Sequence, residues 1–164
     1  MTVRALAVTV STRAAGGVYE DRSGPLLAEL LREWGCQVDG PRVIPDGTAV
    51  LTVLKQAVED RYDVVVTSGG TGLTPTDQTP EMTKAVLERE VPGIAEAIRQ
   101  RGSVATAILS RGLAGTAGGT LIVNLPGSTG GVREGMAVLG PVLSHAISQI
   151  NGGDHPRPPA PPRD

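Results

Sequence analysis

One short segment limits the possible folds of this chain more than any other. Residues Asp63–Ser68 contain three consecutive valines, and the glycine-rich stretch Gly69–Gly72 follows them directly. An unbroken run of β-branched residues is typical of a strand buried on both faces, as in a parallel sheet covered by helices. A helix signal, Thr79-Pro80, comes soon afterwards. The segment therefore predicts a buried strand, a flexible loop and the start of a helix.

Apolar runs and helical repeats alternate along the rest of the chain. We predict strands over Val3–Val10, Gln37–Ile44, Asp63–Ser68 and Thr120–Leu125. We predict helices from Ser23 to Trp34, from Thr48 to about Asp60, over Thr79–Glu88, over Gly93–Arg101, and from about Val132 to Ile150 with a break at Gly140-Pro141. The segment 103–119 has too many glycines to assign. The alternation predicts a mostly parallel sheet covered on both faces, with ligands bound beyond the carboxyl ends of the strands.

Four single residues carry further structural predictions. Ser23 and Thr48 are expected to cap the helices that they begin. Trp34 falls on the apolar stripe of its helix, so we expect it in the core. Cys36 is expected to be a small buried hydrophobe. Because it is the only cysteine, an intrachain disulfide and a cysteine-rich zinc site are both excluded.

Composition narrows the domain organisation and the class of function. The 164 residues suit one domain over positions 1–150, and the proline-rich segment 151–164 is expected to be a disordered or extended tail. A net charge of −2 without a long basic run argues against nucleic-acid binding, and the lack of Phe argues against base-stacking platforms. No signal peptide and no membrane-spanning apolar stretch is evident, so we expect a cytoplasmic protein.

The loop after the third predicted strand has the composition of an anion site. Gly69, Gly70 and Gly72 allow the backbone to turn tightly and bring N–H groups close to a phosphate, and Thr71 adds a hydroxyl donor. Asp77 would repel a bare phosphate, so its presence favours a divalent cation between the two. The loop lacks the lysine of a Walker A motif and the G-x-G-x-x-G pattern, and a plain turn is the alternative.

Two other loops are expected at the same edge of the sheet. Pro45-Asp46-Gly47 and Pro126–Gly131 each follow a predicted strand. Ser128 can cap the last helix and still leave an anion site at its N-terminus. An aspartate before glycine is also common in a plain turn, so Asp46 alone indicates little.

The sequence gives no support to a serine hydrolase or to a histidine metal site. The chain has no G-x-S-x-G elbow, and His145 and His155 have no metal-ligand partner close in sequence. Arg99, Arg101 and Arg111 are expected to be solvated charges.

The stretch Thr67–Glu81 closely resembles the signature of the MogA/MoaB family of molybdopterin-binding proteins. Three further segments resemble the same family, namely Val18–Pro25, Ala107–Arg111 and Leu121–Ser128. The resemblance covers the chain roughly from Val3 to Ile150. It implies a three-layer α/β/α sandwich that usually forms a trimer, and the chain is most similar to the Mog type, the molybdopterin adenylyltransferases.

The resemblance implies a reaction and its participants. Proteins of this type use Mg²⁺ and ATP to adenylylate the terminal phosphate of molybdopterin, giving adenylated molybdopterin and pyrophosphate. A MoeA-type molybdenum insertase then uses the product. Such a transfer needs two phosphates held in line and their charge offset, with no covalent nucleophile on the protein.

The resemblance also implies roles for individual residues. It makes Asp46 and Asp77 catalytic, with Asp77 also a magnesium ligand. It places Ser11 and Arg13 at the nucleotide. It assigns the pterin substrate to the residues Gly69, Gly70, Thr71, Gly72 and Ser128.

Two departures from the family pattern keep other functions open. Gly47 stands where the family often has a second acidic residue, and Thr129 stands where some members have proline. These departures favour, as the alternative, a non-catalytic molybdopterin-binding or carrier protein of the MoaB type. A third hypothesis is an assembly module of a molybdenum-insertion complex, with 151–164 as a docking segment.

Overall fold

A single six-stranded sheet organises the chain, in the order β2-β1-β3-β6-β5-β4. The computed structural model describes residues 2–154. The strands are β1 Val3–Val10, β2 Cys36–Ile44, β3 Val64–Ser68, β4 Arg89–Glu90, β5 Ala114–Ala117 and β6 Thr120–Leu125. Strands β2, β1, β3 and β6 run parallel, whereas β5 and β4 pair antiparallel at one edge. The mostly parallel sheet is confirmed, and the segment left unassigned contains the antiparallel strand β5.

Helices cover both faces of this sheet. They are α1 Thr12–Ala15, α2 Ser23–Glu33, α3 Thr48–Glu59, α4 Thr79–Val86, α5 Pro92–Arg101 and α6 Thr129–Ile150, with a 3-10 helix at Ala105–Leu109. One buried cluster joins α2, α5 and α6 to the sheet, and a second joins α3 and α4 to the opposite face. The chain therefore forms the three-layer α/β/α sandwich that the resemblance implied.

The central strand shows how its sequence produces the three layers. Successive side chains of a strand point to opposite faces of the sheet. Val64 and Val66 accordingly join the cluster under α2 and α6, and Val65 joins the cluster under α3. All residues of β3 are fully buried, as the unbroken valine run predicted.

The last helix and Trp34 differ from the sequence predictions. Helix α6 continues through Gly140 and Pro141 without a break. A proline removes one helical hydrogen bond, but the apolar face of α6 is packed against the sheet on both sides of this point. Trp34 is 48 % exposed and lies outside both clusters. Its indole instead occupies the space over Gly140 where a side chain would stand.

One of the three predicted helix caps is correct. Ser23 is the first residue of α2, and the Asp21 carboxylate in front of it accepts the N–H of Gly24 at 3.0 Å. Thr48 is likewise the first residue of α3, with Gly47 in front of it at a φ of +95°. Ser128 does cap α6, because its hydroxyl accepts an N–H from the first turn.

Three remaining predictions about the chain have different outcomes. Cys36 is buried as expected, and burial raises the pKa of its thiol. No helix within residues 2–154 is long and apolar enough to cross a bilayer. Most of the predicted tail, residues 155–164, lies outside the described residues, so the tail stays a prediction.

A buried amide connects β6 to three neighbouring segments, β3, α4 and the residue before β5. Asn124 Nδ2 donates to the hydroxyls of Thr67 and Thr83 at 3.0 Å each, and Asn124 Oδ1 accepts the N–H of Leu113 at 3.0 Å. Asn124, Thr67 and Thr83 are each at most 3 % exposed. Such a group is costly to leave unpaired, so this amide fixes α4 and the start of β5 to the central strands.

We predict that Asn124→Ala lowers the free energy of unfolding by roughly 2–4 kcal/mol, because it leaves buried polar partners without hydrogen bonds. Urea denaturation measures this change. Gln56→Ala is the matched control, since Gln56 hydrogen-bonds Asp60 on an exposed helix face and should cost no more than about 0.5 kcal/mol. Equal losses in the two variants would contradict the role of the Asn124 network.

Candidate functional site

The four parallel strands end at one edge of the sheet, and their following loops meet there. Gly69 donates its N–H to the carbonyl of Leu125 at 3.0 Å, and Ser11 donates to the carbonyl of Ile44 at 2.9 Å. These bonds join the loops after β1 and β2 in one pair and those after β3 and β6 in another. All candidate residues from the sequence lie in these loops or at the helix starts that follow them.

A first cavity of about 600 Å³ opens between the loops after β1, β2 and β3. Its wall includes Ser11, Arg13, Asp46, Gly69, Gly70 and Asp77. The structure thus brings the two residues expected at a nucleotide together with both candidate carboxylates. Asp21, Arg22 and Ser23 complete the wall on the side of α2.

A second cavity of about 690 Å³ lies on the other side of the glycine-rich loop. Its wall includes the expected pterin-binding residues Gly69, Gly70, Thr71, Gly72 and Ser128. Apolar side chains from α5 and the 3-10 helix region form much of the opposite wall, among them Ile98, Val104 and Leu109. Four residues line both cavities, namely Gly69, Gly70, Asp77 and Gly127. The site therefore has two compartments with a common wall.

Two glycines of the common wall are required by their backbone geometry. Gly69 and Gly70 have φ values of +99° and +66°, a region that favours glycine. A Cβ at Gly69 would collide with the carbonyl of Val10, and one at Gly70 would collide with Thr79 Oγ1 and the Asp46 carboxylate. The loop is therefore closely packed against three neighbouring segments, and its backbone itself forms the surface offered to a ligand.

Asp46 connects the loops of the first cavity through hydrogen bonds to the backbone. Its Oδ1 accepts the N–H groups of Gly47 at 2.7 Å and Gln78 at 2.9 Å. Its own N–H donates to the hydroxyl of Thr12 at 3.2 Å. Its second oxygen, Oδ2, lies beside Gly70. One oxygen thus fixes the carboxylate, and the other remains for a ligand of the cavity.

Asp77 occupies a comparable position at the boundary between the cavities. Its Oδ2 accepts the N–H of Thr74 at 3.1 Å, and its own N–H donates to the carbonyl of the same residue at 3.0 Å. These two bonds close a turn that holds the carboxylate at the boundary. Gln78, the residue after Asp77, donates its N–H to the Asp46 carboxylate. This hydrogen bond links the two loops that carry the carboxylates.

The donor set agrees with a magnesium ion that enters together with substrate phosphates. Within the described residues, no group of three or more His, Cys, Asp or Glu side chains could hold a metal ion. Magnesium usually binds one or two carboxylates together with substrate phosphates and water, rather than a cage of protein ligands. Asp46 and Asp77 both line the first cavity and are carboxylates of the kind that such a site uses.

The loop after β1 contributes hydroxyl and guanidinium groups to the first cavity. Ser11 caps α1 by accepting the N–H of Ala14 at 3.2 Å, and its hydroxyl lies 2.7 Å from the Tyr19 hydroxyl. Arg13 lies in α1 and is exposed. Both residues border the cavity, so the Arg13 guanidinium is available to pair with an anionic group there.

Two buried hydroxyls at the site were missed by the sequence interpretation. Ser68 and Thr79 are fully buried, and within residues 2–154 neither hydroxyl oxygen has a hydrogen-bond partner. Ser68 borders the first cavity, and Thr79 Oγ1 lies behind Gly70. A buried polar group without a partner is costly, so Ser68 is a candidate ligand contact. Its position as the last residue of the valine-rich strand was the available sequence signal.

Arg99 and Arg111 are not the solvated charges that the sequence suggested. Arg99 donates to the carbonyls of Ser110 and Gly112 and borders the second cavity. Arg111 is held at three points. Its Nε donates to the carbonyl of Gly72 at 2.8 Å, its Nη2 donates to the carbonyl of Asp77 at 2.8 Å, and its Nη1 pairs with the Glu81 carboxylate. This guanidinium lowers the pKa of Glu81. Arg111 is thus part of the structure that supports the common wall.

Comparison with known proteins agrees with this geometry. The family model described as "Probable molybdopterin binding domain" matches residues 6–145. A curated molybdopterin adenylyltransferase from Helicobacter pylori strain J99 is 36% identical over 160 residues, which cover 92% of this chain and 89% of that protein. The chain spans only about half the length of the bifunctional molybdenum cofactor biosynthesis proteins that it also matches.

Solved structures of both family types are similar to this fold. The molybdopterin biosynthesis Mog protein from Mycobacterium ulcerans has a TM-score of 0.88 and 49% identity, covering 93% of this chain and 99% of that one. The molybdopterin biosynthesis enzyme MoaB from Thermus thermophilus has a TM-score of 0.86 and 41% identity, covering 92% and 98%. The resemblance inferred from the sequence is confirmed.

We predict that Gly70→Ala destabilises the protein by roughly 1–3 kcal/mol, because alanine is strained at a positive φ and meets Thr79 and Asp46. Gly93→Ala is the matched control, since nothing lies within 4 Å of the position of its Cβ, and it should change stability by no more than about 0.5 kcal/mol. Urea denaturation of both variants measures the difference. A Gly70→Ala protein as stable as the control would contradict the close packing of this loop.

Proposed function

The chain belongs to the family of molybdopterin-binding domains, and on that premise we propose that it is a molybdopterin adenylyltransferase. It transfers AMP from ATP to the terminal phosphate of molybdopterin. The observation that carries this proposal is the pair of cavities with Gly69, Gly70, Asp77 and Gly127 as their common wall. A transfer between two substrates needs both reacting groups held side by side, and a common wall provides that.

We assign molybdopterin to the second cavity, with its phosphate at the glycine-rich loop. The apolar wall there suits a flat organic ring, and the loop offers backbone N–H groups to an anion. Helix α6 begins at Thr129 directly after the capping residue Ser128, so its positive N-terminal end faces the same region.

We assign ATP to the first cavity, where Ser11 and Arg13 border the space. The Arg13 guanidinium would offset phosphate charge and favour the extended triphosphate. The α-phosphate of ATP then lies at the common wall beside the molybdopterin phosphate.

The reaction assigned to this arrangement is an in-line displacement. An oxygen of the molybdopterin phosphate bonds to the α-phosphorus of ATP, while the bond from that phosphorus to the pyrophosphate oxygen breaks. The leaving pyrophosphate carries away the electron pair. Asp46 and Asp77 would hold Mg²⁺, which supplies positive charge where negative charge crowds. The protein contributes position and charge, and no side chain acts as nucleophile.

Assembly and partners belong to the same proposal. We propose a cytoplasmic homotrimer that delivers its product to a MoeA-type insertase. Exposed apolar side chains near the second cavity, Leu73, Val104 and Ile108, support association with another protein surface.

One observation favours the alternative of a molybdopterin-binding carrier. Gly47 offers no second carboxylate beside Asp46, and its φ of +95° is one that glycine adopts readily. A carrier would bind molybdopterin independently of ATP and would release it unchanged.

We predict that the protein with molybdopterin, ATP and Mg²⁺ forms adenylated molybdopterin and pyrophosphate, detected by chromatography. Asp46→Ala and Asp77→Ala should each lower kcat/KM at least about 100-fold, because each removes a group that acts on the developing charge. Glu29→Ala, on an exposed face of α2, is the control and should retain activity.

Two results would overturn parts of this proposal. Molybdopterin binding by the wild-type protein without any product would exclude the transferase and support the carrier. Full activity of one aspartate variant would remove the catalytic role of that residue.

A further inference from the structure

We propose that Arg111 is a positioning residue, which holds the turn 72–77 in the geometry that transfer between the two cavities requires. The kinetic part of this inference rests on the proposed function, and its structural part does not. Arg111 is not one of the described residues that border the two cavities. Arg111 therefore acts on the reaction through the residues that it holds, above all the turn 72–77.

The guanidinium of Arg111 holds both ends of that turn at once. Its Nε donates to the carbonyl of Gly72 and its Nη2 to the carbonyl of Asp77, both at 2.8 Å. Because the guanidinium is rigid and planar, the two bonds fix the separation of the two carbonyl groups. The residue at the far end is the candidate catalytic carboxylate itself.

The tip of the turn, residues 73–76, is not fixed by burial, and the nearest other attachment is the bond from the Gln78 N–H to Asp46. Leu73, Thr74, Pro75 and Thr76 are all exposed. The bonds between Thr74 and Asp77 close the turn internally but do not attach it to another element. Burial therefore does not position the tip of the turn, and the attachment at its two ends matters correspondingly more.

Arg111 is itself held firmly enough to serve this purpose. Its N–H donates to the carbonyl of Thr71 at 2.8 Å. Arg99 of α5 donates from one nitrogen to the carbonyls of Ser110 and Gly112, at 3.4 and 3.0 Å, on either side of Arg111. Glu81 of α4 pairs with the remaining end of the guanidinium. Two helices thus define where the guanidinium stands.

A lysine at position 111 would keep the charge and lose this geometry. Its single ammonium on a flexible stem cannot reproduce a planar group that serves two carbonyls and a carboxylate together. Small displacements of catalytic groups have large effects on transfer rates, because the reacting atoms must be aligned. Arg111→Lys therefore separates the positioning role from charge alone.

The first measurement uses hydrogen exchange on the ligand-free protein and needs no assumption about function. In Arg111→Lys, the hydrogen-bonded amides of Thr74, Asp77 and Gln78 should exchange at least about tenfold faster than in the wild type, because the turn opens more often. Arg32→Lys, an exposed arginine of α2, is the matched control and should leave this segment unchanged. Unchanged exchange in Arg111→Lys would overturn the proposal.

The second measurement is steady-state kinetics at a temperature where every variant is fully folded by circular dichroism. Arg111→Lys should lower kcat at least about tenfold, whereas the KM for ATP should stay within about twofold, since Arg111 touches neither cavity. Glu81→Gln, which weakens the ion pair at the other end of the guanidinium and borders neither cavity, should lower kcat by a smaller factor. A merely structural role would shift the unfolding midpoint and leave kcat unchanged.

The two measurements distinguish failure of this inference from failure of the proposed function. If the wild type forms no adenylated product, the transferase proposal fails, and the exchange experiment together with molybdopterin affinity still tests the positioning role. If exchange increases but a folded Arg111→Lys protein keeps the wild-type kcat, the inference is wrong while the transferase proposal stands.

Discussion

The rest of the structure depends on the burial of β3 on both of its faces. Because its valines alternate between the two core clusters, helices must cover both sides of the sheet. The strands beside it, β1 and β6, are parallel to it, so their carboxyl ends lie at one edge. The loops that follow these strands therefore meet, and the two cavities form where they meet.

The carboxylates and glycines that can contact a ligand at this edge also hold the loops in place. Asp46 and Asp77 each use one carboxylate oxygen to accept backbone N–H groups. Gly69 and Gly70 pack so closely that no side chain could replace their hydrogens without displacing a neighbour. Groups of the protein itself thus hold these loops, and a prearranged site lowers the cost of aligning two charged molecules in the transfer that we propose.

The sequence predicted those features that depend on local pattern. The valine run and the glycine-rich loop identified the central strand and the edge at which the candidate residues lie. Trp34 was misjudged because helical spacing does not reveal the space over Gly140 that receives it. Arg111 was missed because its partners are backbone carbonyls more than thirty positions away, and no residue pattern indicates such contacts. For Gly47 and Gly70 the structure adds the physical reason: both have a positive φ, which favours glycine, and the sequence pattern alone does not reveal this angle.

In the proposed reaction, two substrates occupy adjoining cavities and react at their common wall. A crystal structure of the protein with adenylated molybdopterin tests it most directly. We expect the adenosine beside Ser11 and Arg13, the pterin beside Ser128, and the linked phosphates between Gly70 and Asp77. A product lying wholly within one cavity, or with its phosphates away from the glycine-rich loop, would contradict it.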